Sequence, residues 1–142
     1  MSLVIKQATD PLDIAACSYL RTIIFVQEQE CPFADEFNEE DNQAINFIAW
    51  NDNLPIAMAR YRHIDGTYKI ERVCVDRNAR GTGAGKKIMR HIIETISSKD
   101  NTATFKLSAQ DQAIKFYEEL GFSAYGEGYI EAGIPHHMME RK

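Results

Sequence analysis

The stretch "ARGTGAGKKIM", residues 79 to 89, constrains this chain more than any other. Before it, Tyr68 to Val75, entered through the Asp65-Gly66 turn, reads as a strand. After it, Ile88, Met89, Ile92, Ile93 and Ile96 recur at helical spacing. Strand, glycine-rich loop, helix is an arrangement that binds anions. Free amides at the helix start point at the ligand, and glycine lets the backbone come close. Lys86 and Lys87 sit where a positive charge opposes the helix dipole. An anion held at the helix start removes that conflict.

Spacing separates the loops that work this way. A Walker A loop needs glycine five residues before Gly85-Lys86, and Arg80 stands there; Lys87 replaces the hydroxyl that meets magnesium. A dinucleotide fingerprint begun at Gly81-Thr82-Gly83 meets Lys86 where its third glycine belongs. Begun at Gly83-Ala84-Gly85, it meets Ile88. Both patterns fail.

The remaining chain alternates strand and helix signals. Val4 to Ala8 reads as a strand. Asp10-Pro11 supplies a helix cap and a first-turn proline, and apolar spacing carries the helix to about Gln27. Residues 28–43 are polar and interrupted by Pro32, and read as a loop with room for a short helix. Ala44 to Trp50, Ile56 to His63 and Tyr68 to Val75 predict an antiparallel meander, with Asp65-Gly66 as a hairpin turn. Thr102 to Leu107 reads as a strand. Ala113, Phe116, Tyr117 and Leu120 stripe a second helix that stops at Gly121. Tyr125 to Arg141 reads as one or two strands broken by Gly133 and Pro135. The pattern predicts one α/β domain over residues 1–142, a mixed sheet with helices on its faces.

Charge is distributed unevenly. Thr22 to Ala59 holds no Lys or Arg but eight acids, from Glu28 to Asp52; Arg77 to Arg90 holds five bases and no acid. One part suits a cation and the other an anion. A net charge of −5 argues against general nucleic-acid binding. Cys17, Cys31 and Cys74 fit neither a zinc pattern nor a disulfide framework. With no apolar run of membrane-spanning length and no secretory leader pattern, a cytoplasmic location is expected.

Arg80-Gly81-Thr82-Gly83-Ala84-Gly85 matches Arg/Gln-x-x-Gly-x-Gly/Ala, and here the chain resembles the GNAT superfamily of acyl-CoA N-acyltransferases. "YKIERVCVD" resembles that family's central strand, and "AIKFYEELGF" its second signature helix with the strand after it. "FVQEQECPF" and "IEAGIPHHMMER" resemble the small bacterial ElaA/YjcF-like subgroup. The resemblance implies a mixed, mostly antiparallel sheet of six to seven strands with a central parallel pair that splays apart. It implies acetyl-CoA as co-substrate, no metal, and direct transfer of the acetyl group to a primary amine. Arg80, Lys86 and the amides of Gly81, Thr82, Gly83, Ala84 and Gly85 then face the pyrophosphate, with Arg77 or Lys87 reaching the 3′-phosphate. Backbone groups of Val73, Cys74 and Val75 take the pantetheine arm and the acetyl carbonyl, and Phe116 borders the coenzyme. Gln110 stands where many members carry Asn.

Transfer from a thioester to an amine needs a proton acceptor for the amine and a donor for the leaving sulfur. Tyr117 occupies the family's general-acid position; otherwise it is a core tyrosine on an apolar stripe. Glu71, a glutamate inside a central strand, is a candidate base; the bland reading is an ion pair with Arg72 or Arg60. His136 is the second candidate base or a substrate contact, since histidine titrates in the useful range. Glu28 and the acids after it suit a cationic acceptor. A small-molecule amine is the expected acceptor, with a protein amine or a non-catalytic acyl-CoA-binding module as alternatives. C-terminal edge strands leave room for a homodimer.

Overall fold

The computed structural model describes residues 3–142. Seven strands form one sheet in the order β1-β2-β3-β4-β5-β7-β6. They are β1 (Leu3–Gln7), β2 (Ile45–Asn51), β3 (Leu54–Ile64), β4 (Thr67–Val75), β5 (Phe105–Gln110), β6 (Ser123–Glu131) and β7 (Ile134–Arg141). All neighbouring pairs run antiparallel except β4 and β5. The fold is therefore the mixed, mostly antiparallel sheet with one central parallel pair that the sequence predicts. No helix among the described residues is long and apolar enough to cross a membrane.

Helices cover both faces. Helix α1 (Pro11–Arg21) starts where the Asp10 carboxylate accepts the Asp13 amide at 2.9 Å. It then widens into π-helical turns over Thr22–Glu28, a rare form that often marks functional segments. Helix α3 (Ala84–Lys99) follows the glycine loop, and short α2 (Phe33–Glu36) and α4 (Ile114–Glu118) flank the sheet.

Period-two alternation sorts the core. Phe47, Ala49, Ala57 and Ala59 pack on the α3 side with Ile88, Met89 and Ile92. Their strand neighbours Ile48 and Met58 pack on the α1 side with Cys17, Leu20 and Ile24.

Strand β4 breaks this alternation. Met58 pairs with Cys74 and Arg60 with Glu71, so Ala59 faces two residues, Arg72 and Val73. This is a β-bulge, and Arg72 takes the left-handed conformation at φ +56°. The strand bends there. Its pairing with β5 covers only Tyr68 with Phe105 and Lys69 with Lys106. Beyond those two pairs β4 and β5 diverge, while β5 stays zipped to β7 from Phe105–Arg141 to Gln110–His136. A cleft opens inside the sheet.

Two expectations are corrected. The strand expected over Thr102 to Leu107 runs Phe105–Gln110, because Thr102 is held in a turn by Asp100 Oδ1, which accepts its amide at 3.0 Å and its hydroxyl at 2.7 Å. Pro135 does not break the tail; it lies within β7 opposite Ile130, and the hairpin turns at Ala132-Gly133. Residues 28–43 hold a short helix, α2, as the sequence leaves room for, and also a 3₁₀ turn over Glu39–Gln43.

Candidate active site

The glycine loop lies directly after β4, at the open end of the cleft. Gly81 at φ +83° and Gly83 at φ +88° hold backbone conformations that side chains resist. Gly83 starts α3 without a side-chain cap, and the first helical bond runs from the Lys87 amide to its carbonyl at 3.1 Å. The amides of Ala84, Gly85 and Lys86 are thus first-turn donors facing outward from the helix end. Gly85 has a different task. A Cβ there would sit 3.2 Å from Phe116 Cζ and 3.3 Å from Val75 Cγ2. Glycine lets the start of α3 lie against both β4 and α4.

The loop's cations are engaged. Arg80 donates from Nε to the Val75 carbonyl at 3.0 Å and from Nη1 and Nη2 to Glu28 at 2.8 and 2.7 Å. The Val75 carbonyl is therefore already bonded. Lys86 pairs with Glu119 of the α4 segment. Thr82 donates its hydroxyl to the Ala79 carbonyl at 2.5 Å, which tightens the turn. Arg77 is exposed, with Nη2 3.8 Å from Glu28 Oε1.

A cavity of ≈ 560 Å³ fills the split between the strands. Ile70, Glu71, Arg72 and Val73 line it from β4; Leu107, Ser108 and Gln110 line it from β5. Tyr117 and Ala113 close one side, and Glu131, Ile134 and His136 the other. Gln29, Cys31, Asp35, Glu36 and Glu40 form a wall from the segment after the π-helical turns. The structure thus brings Tyr117, Glu71 and His136 to one cavity. Glu28 lies outside that lining. Its carboxylate is held by Arg80, remote in sequence.

Tyr117 is 8% exposed, with its ring edge-on to Phe116 and Phe122. Burial pushes its hydroxyl well above the ordinary tyrosine range, and nearby Cys74 acts in the same direction. The hydroxyl stays protonated and can donate.

His136 is 7% exposed. Its Nδ1 lies 2.6 Å from the Ile134 carbonyl, which only accepts, so Nδ1 carries the proton. That leaves the lone pair of the neutral ring on Nε2. Glu131 Oε2 lies 3.6 Å from Nε2, placed to stabilise a proton taken up there.

Glu71 is bound tightly. Arg62 donates Nε to Oε1 at 2.9 Å and Nη2 to Oε2 at 2.6 Å; Arg60 donates Nε at 3.2 Å; Lys69 lies at 3.5 Å. Burial alone would raise its carboxyl. The Arg62 hydrogen bond and the charges of Arg60, Arg62 and Lys69 outweigh burial and hold it below its ordinary value. Of the ion-pair partners weighed from sequence, Arg60 is present; Arg72 instead meets Glu36.

These pairs belong to a larger network that sequence reading missed. Glu36 Oε2 meets Arg21 Nε at 2.7 Å and Arg72 Nε at 2.8 Å. Asp41 Oδ1 meets Arg60 Nη1 at 2.6 Å and Arg21 Nη2 at 3.1 Å, and Glu40 Oε2 meets Arg62 Nη2 at 2.6 Å. The acidic stretch is therefore moored to α1, β3 and β4 by buried arginines. The one available signal was three arginines, Arg60, Arg62 and Arg72, inside apolar strands.

Cys74 turns its thiol to the α1 side, and burial raises it far above the thiolate range. That suits a packing role and not a nucleophile. Gln110 donates Nε2 to Gln29 Oε1 at 3.1 Å, joining the end of β5 to the cavity wall.

Residues 24–142 match the acetyltransferase (GNAT) domain. The chain is 34% identical over 122 residues to YjcF of Bacillus subtilis, called an uncharacterised N-acetyltransferase, across 85% of this chain and 86% of that protein. It is 33% identical over 129 residues to ElaA of Escherichia coli, across 87% and 83%. The crystal structure of Escherichia coli ElaA superposes with a TM-score of 0.85, covering 99% of this chain and 100% of that one at 26% identity. An acyl-CoA N-acyltransferase from Pseudomonas aeruginosa superposes with a TM-score of 0.84, at 29% identity and 99% of both chains.

Proposed function

The chain belongs to the acetyltransferase (GNAT) domain family and is an acetyl-CoA-dependent N-acetyltransferase, and from that premise we propose that it acetylates a primary amine of a small molecule held in the cavity between β4 and β5. The observation that carries this reading is the divergence of β4 from β5 beyond Lys69, with the Arg72 bulge inside the divergent stretch and the glycine loop at its open end. The split supplies a path for a long, flat arm. The loop supplies amides for the phosphates at the end of that path.

The residues present fit the coenzyme. The amides of Ala84, Gly85 and Lys86 and the Arg80 guanidinium would hold the diphosphate, and exposed Arg77 and Lys87 can take a further phosphate. Phe116 borders the arm beside Gly85. Main chain of Val73 and Cys74, beyond the last pair with β5, would flank the thioester end, and the Val75 carbonyl is bonded to Arg80. Bound acetyl-CoA supplies the activated acetyl group.

The protein's own groups then manage protons. His136 Nε2 accepts the proton of the acceptor ammonium, and Glu131 stabilises the charge gained. Tyr117 holds its proton at neutral pH and donates it to the departing sulfur. Glu71 is the poorer base, since three cations already stabilise its charged form. Its role is to hold Arg60 and Arg62 against the cavity wall.

A cleft of ≈ 560 Å³ matches the size of sites that take small molecules, and on that ground we favour a small acceptor over a protein chain. Of the acids in its wall, Glu36, Glu40 and Glu71 are paired with arginines, and Asp35 and Glu131 are the carboxylates left to favour a cationic amine. The test is thiol release from acetyl-CoA across a panel of amines. Amines with a second positive charge should be the best acceptors. Tight coenzyme binding with no acceptor active would replace this reading with a non-catalytic acyl-CoA-binding module.

A further inference from the structure

Arg80 has two claimants. Its Nε is fixed on the Val75 carbonyl at 3.0 Å, and both terminal nitrogens grip the two oxygens of Glu28 at 2.8 and 2.7 Å. This fork-to-fork geometry is the strongest that a guanidinium offers a carboxylate. The proposed function sets the same fork facing a diphosphate. A carboxylate and a diphosphate on one fork bring like charges within a few ångströms. Arg77, the other cation within reach, also lies nearest to Glu28.

Glu28 ends the π-helical turns, and the chain after it enters the cavity wall through Gln29 and Cys31. Glu30 between them holds a left-handed φ of +59°, strained for a non-glycine residue. From α2 onward the wall is moored by the buried pairs of Glu36 with Arg21 and Arg72. Any displacement is thus confined to residues 28–32.

We propose that Glu28 is an internal counter-ligand of Arg80, which the coenzyme's diphosphate displaces, so that filling the coenzyme site releases residues 28–32 and reshapes the acceptor cavity. The proposal rests on the reading that Arg80 faces the diphosphate. Released Glu28 draws Gln29 with it, and the contacts that must yield are the Gln29–Gln110 bond across the cleft and the bonds that the Gln29 and Cys31 amides donate to the Ile24 and Phe25 carbonyls. The coenzyme then binds before the acceptor, because the acceptor wall takes its final form only with Arg80 occupied.

The test is calorimetry with coenzyme A on the wild type and on Glu28→Gln, each also in an Arg80→Ala background. Removing the carboxylate should tighten binding about two- to fivefold, the range an exposed ion pair spans. In the Arg80→Ala background the same change should leave affinity unaltered. Equal or weaker binding by Glu28→Gln, or the same tightening without Arg80, overturns the proposal while the coenzyme reading stands. Failure of the wild type to bind coenzyme A overturns both. A second readout needs no ligand. Cys31 is partly exposed while Cys17 and Cys74 are buried, so alkylation by iodoacetamide reports the wall segment. Alkylation should be faster in Glu28→Gln than in the wild type, and equal rates contradict the release of residues 28–32.

Discussion

Ile70 and Cys74 lie four residues apart on one strand yet bury into opposite faces of the sheet, Ile70 with the α3 core and Cys74 with the α1 core. Regular pleating would put them on the same face. The extra residue at the bulge reverses the alternation, so Val73 and Val75 turn to the α3 side. The β4–β5 pairs end at Lys69, so the bulge lies within the stretch that borders the cleft. The irregularity thereby sets which side chains line it.

The left-handed φ at Arg72 can be tested apart from its guanidinium. Arg72→Asn and Arg72→Val both lose the contacts to Glu36, but only asparagine tolerates φ near +56°. Urea unfolding should find the valine variant less stable than the asparagine variant by about 1–3 kcal/mol. Coenzyme A should also bind the valine variant more weakly. Equal behaviour would mean the bulge does not depend on this residue's backbone.

Tyr117→Phe keeps the ring packing against Phe116 and Phe122 and removes only the donor. Steady-state kinetics should show kcat reduced about a hundredfold or more, with coenzyme affinity within twofold of the wild type. A parallel loss of affinity would instead assign the hydroxyl a binding role.

His136→Asn lets an amide donate to the Ile134 carbonyl in place of Nδ1 while removing Nε2. The expected outcome is a kcat lower by about a hundredfold and a rising limb of the pH–rate profile displaced to higher pH. The acceptor amine must then arrive already deprotonated. An unchanged profile would return the base role to Glu71 or water.

Glu71 gives a pH signature in stability. Its carboxyl is held lower in the folded chain than in the unfolded one, where it titrates near about 4.3. The charged form therefore stabilises the fold fully above that unfolded value. The contribution is lost as pH falls through the lower folded value. Glu71→Gln should cost about 3 kcal/mol at pH 7, because Arg60 and Arg62 lose a buried partner. The variant should also lose less further stability than the wild type between pH 5 and acid unfolding. Denaturant titrations across that interval measure both.

Local pattern made much of the fold legible. The β3–β4 hairpin, the glycine loop and the stripe on α3 each lie within one short window, and neighbouring residues decide their form. Motif and chemistry singled out Tyr117 and His136, and both line the cavity. Pairings across long stretches of chain were not legible. Glu36 reaches Arg72, Asp41 reaches Arg60, and Glu28 reaches Arg80, and nothing near any of these acids names its partner. A run of acids reads as a solvated loop until the sheet places arginines beneath it. The bulge was equally silent, since Arg72 has none of the glycine or asparagine character that marks a left-handed residue.

The central claim is that main-chain amides at the start of α3 hold the coenzyme's diphosphate. Titration of acetyl-CoA into the wild type and into folded Gly83→Val, followed by calorimetry, tests it most directly. Valine at φ +88° forces the loop out of shape, and affinity should fall about tenfold or more. No association with the wild type, or undiminished association with Gly83→Val, would contradict it.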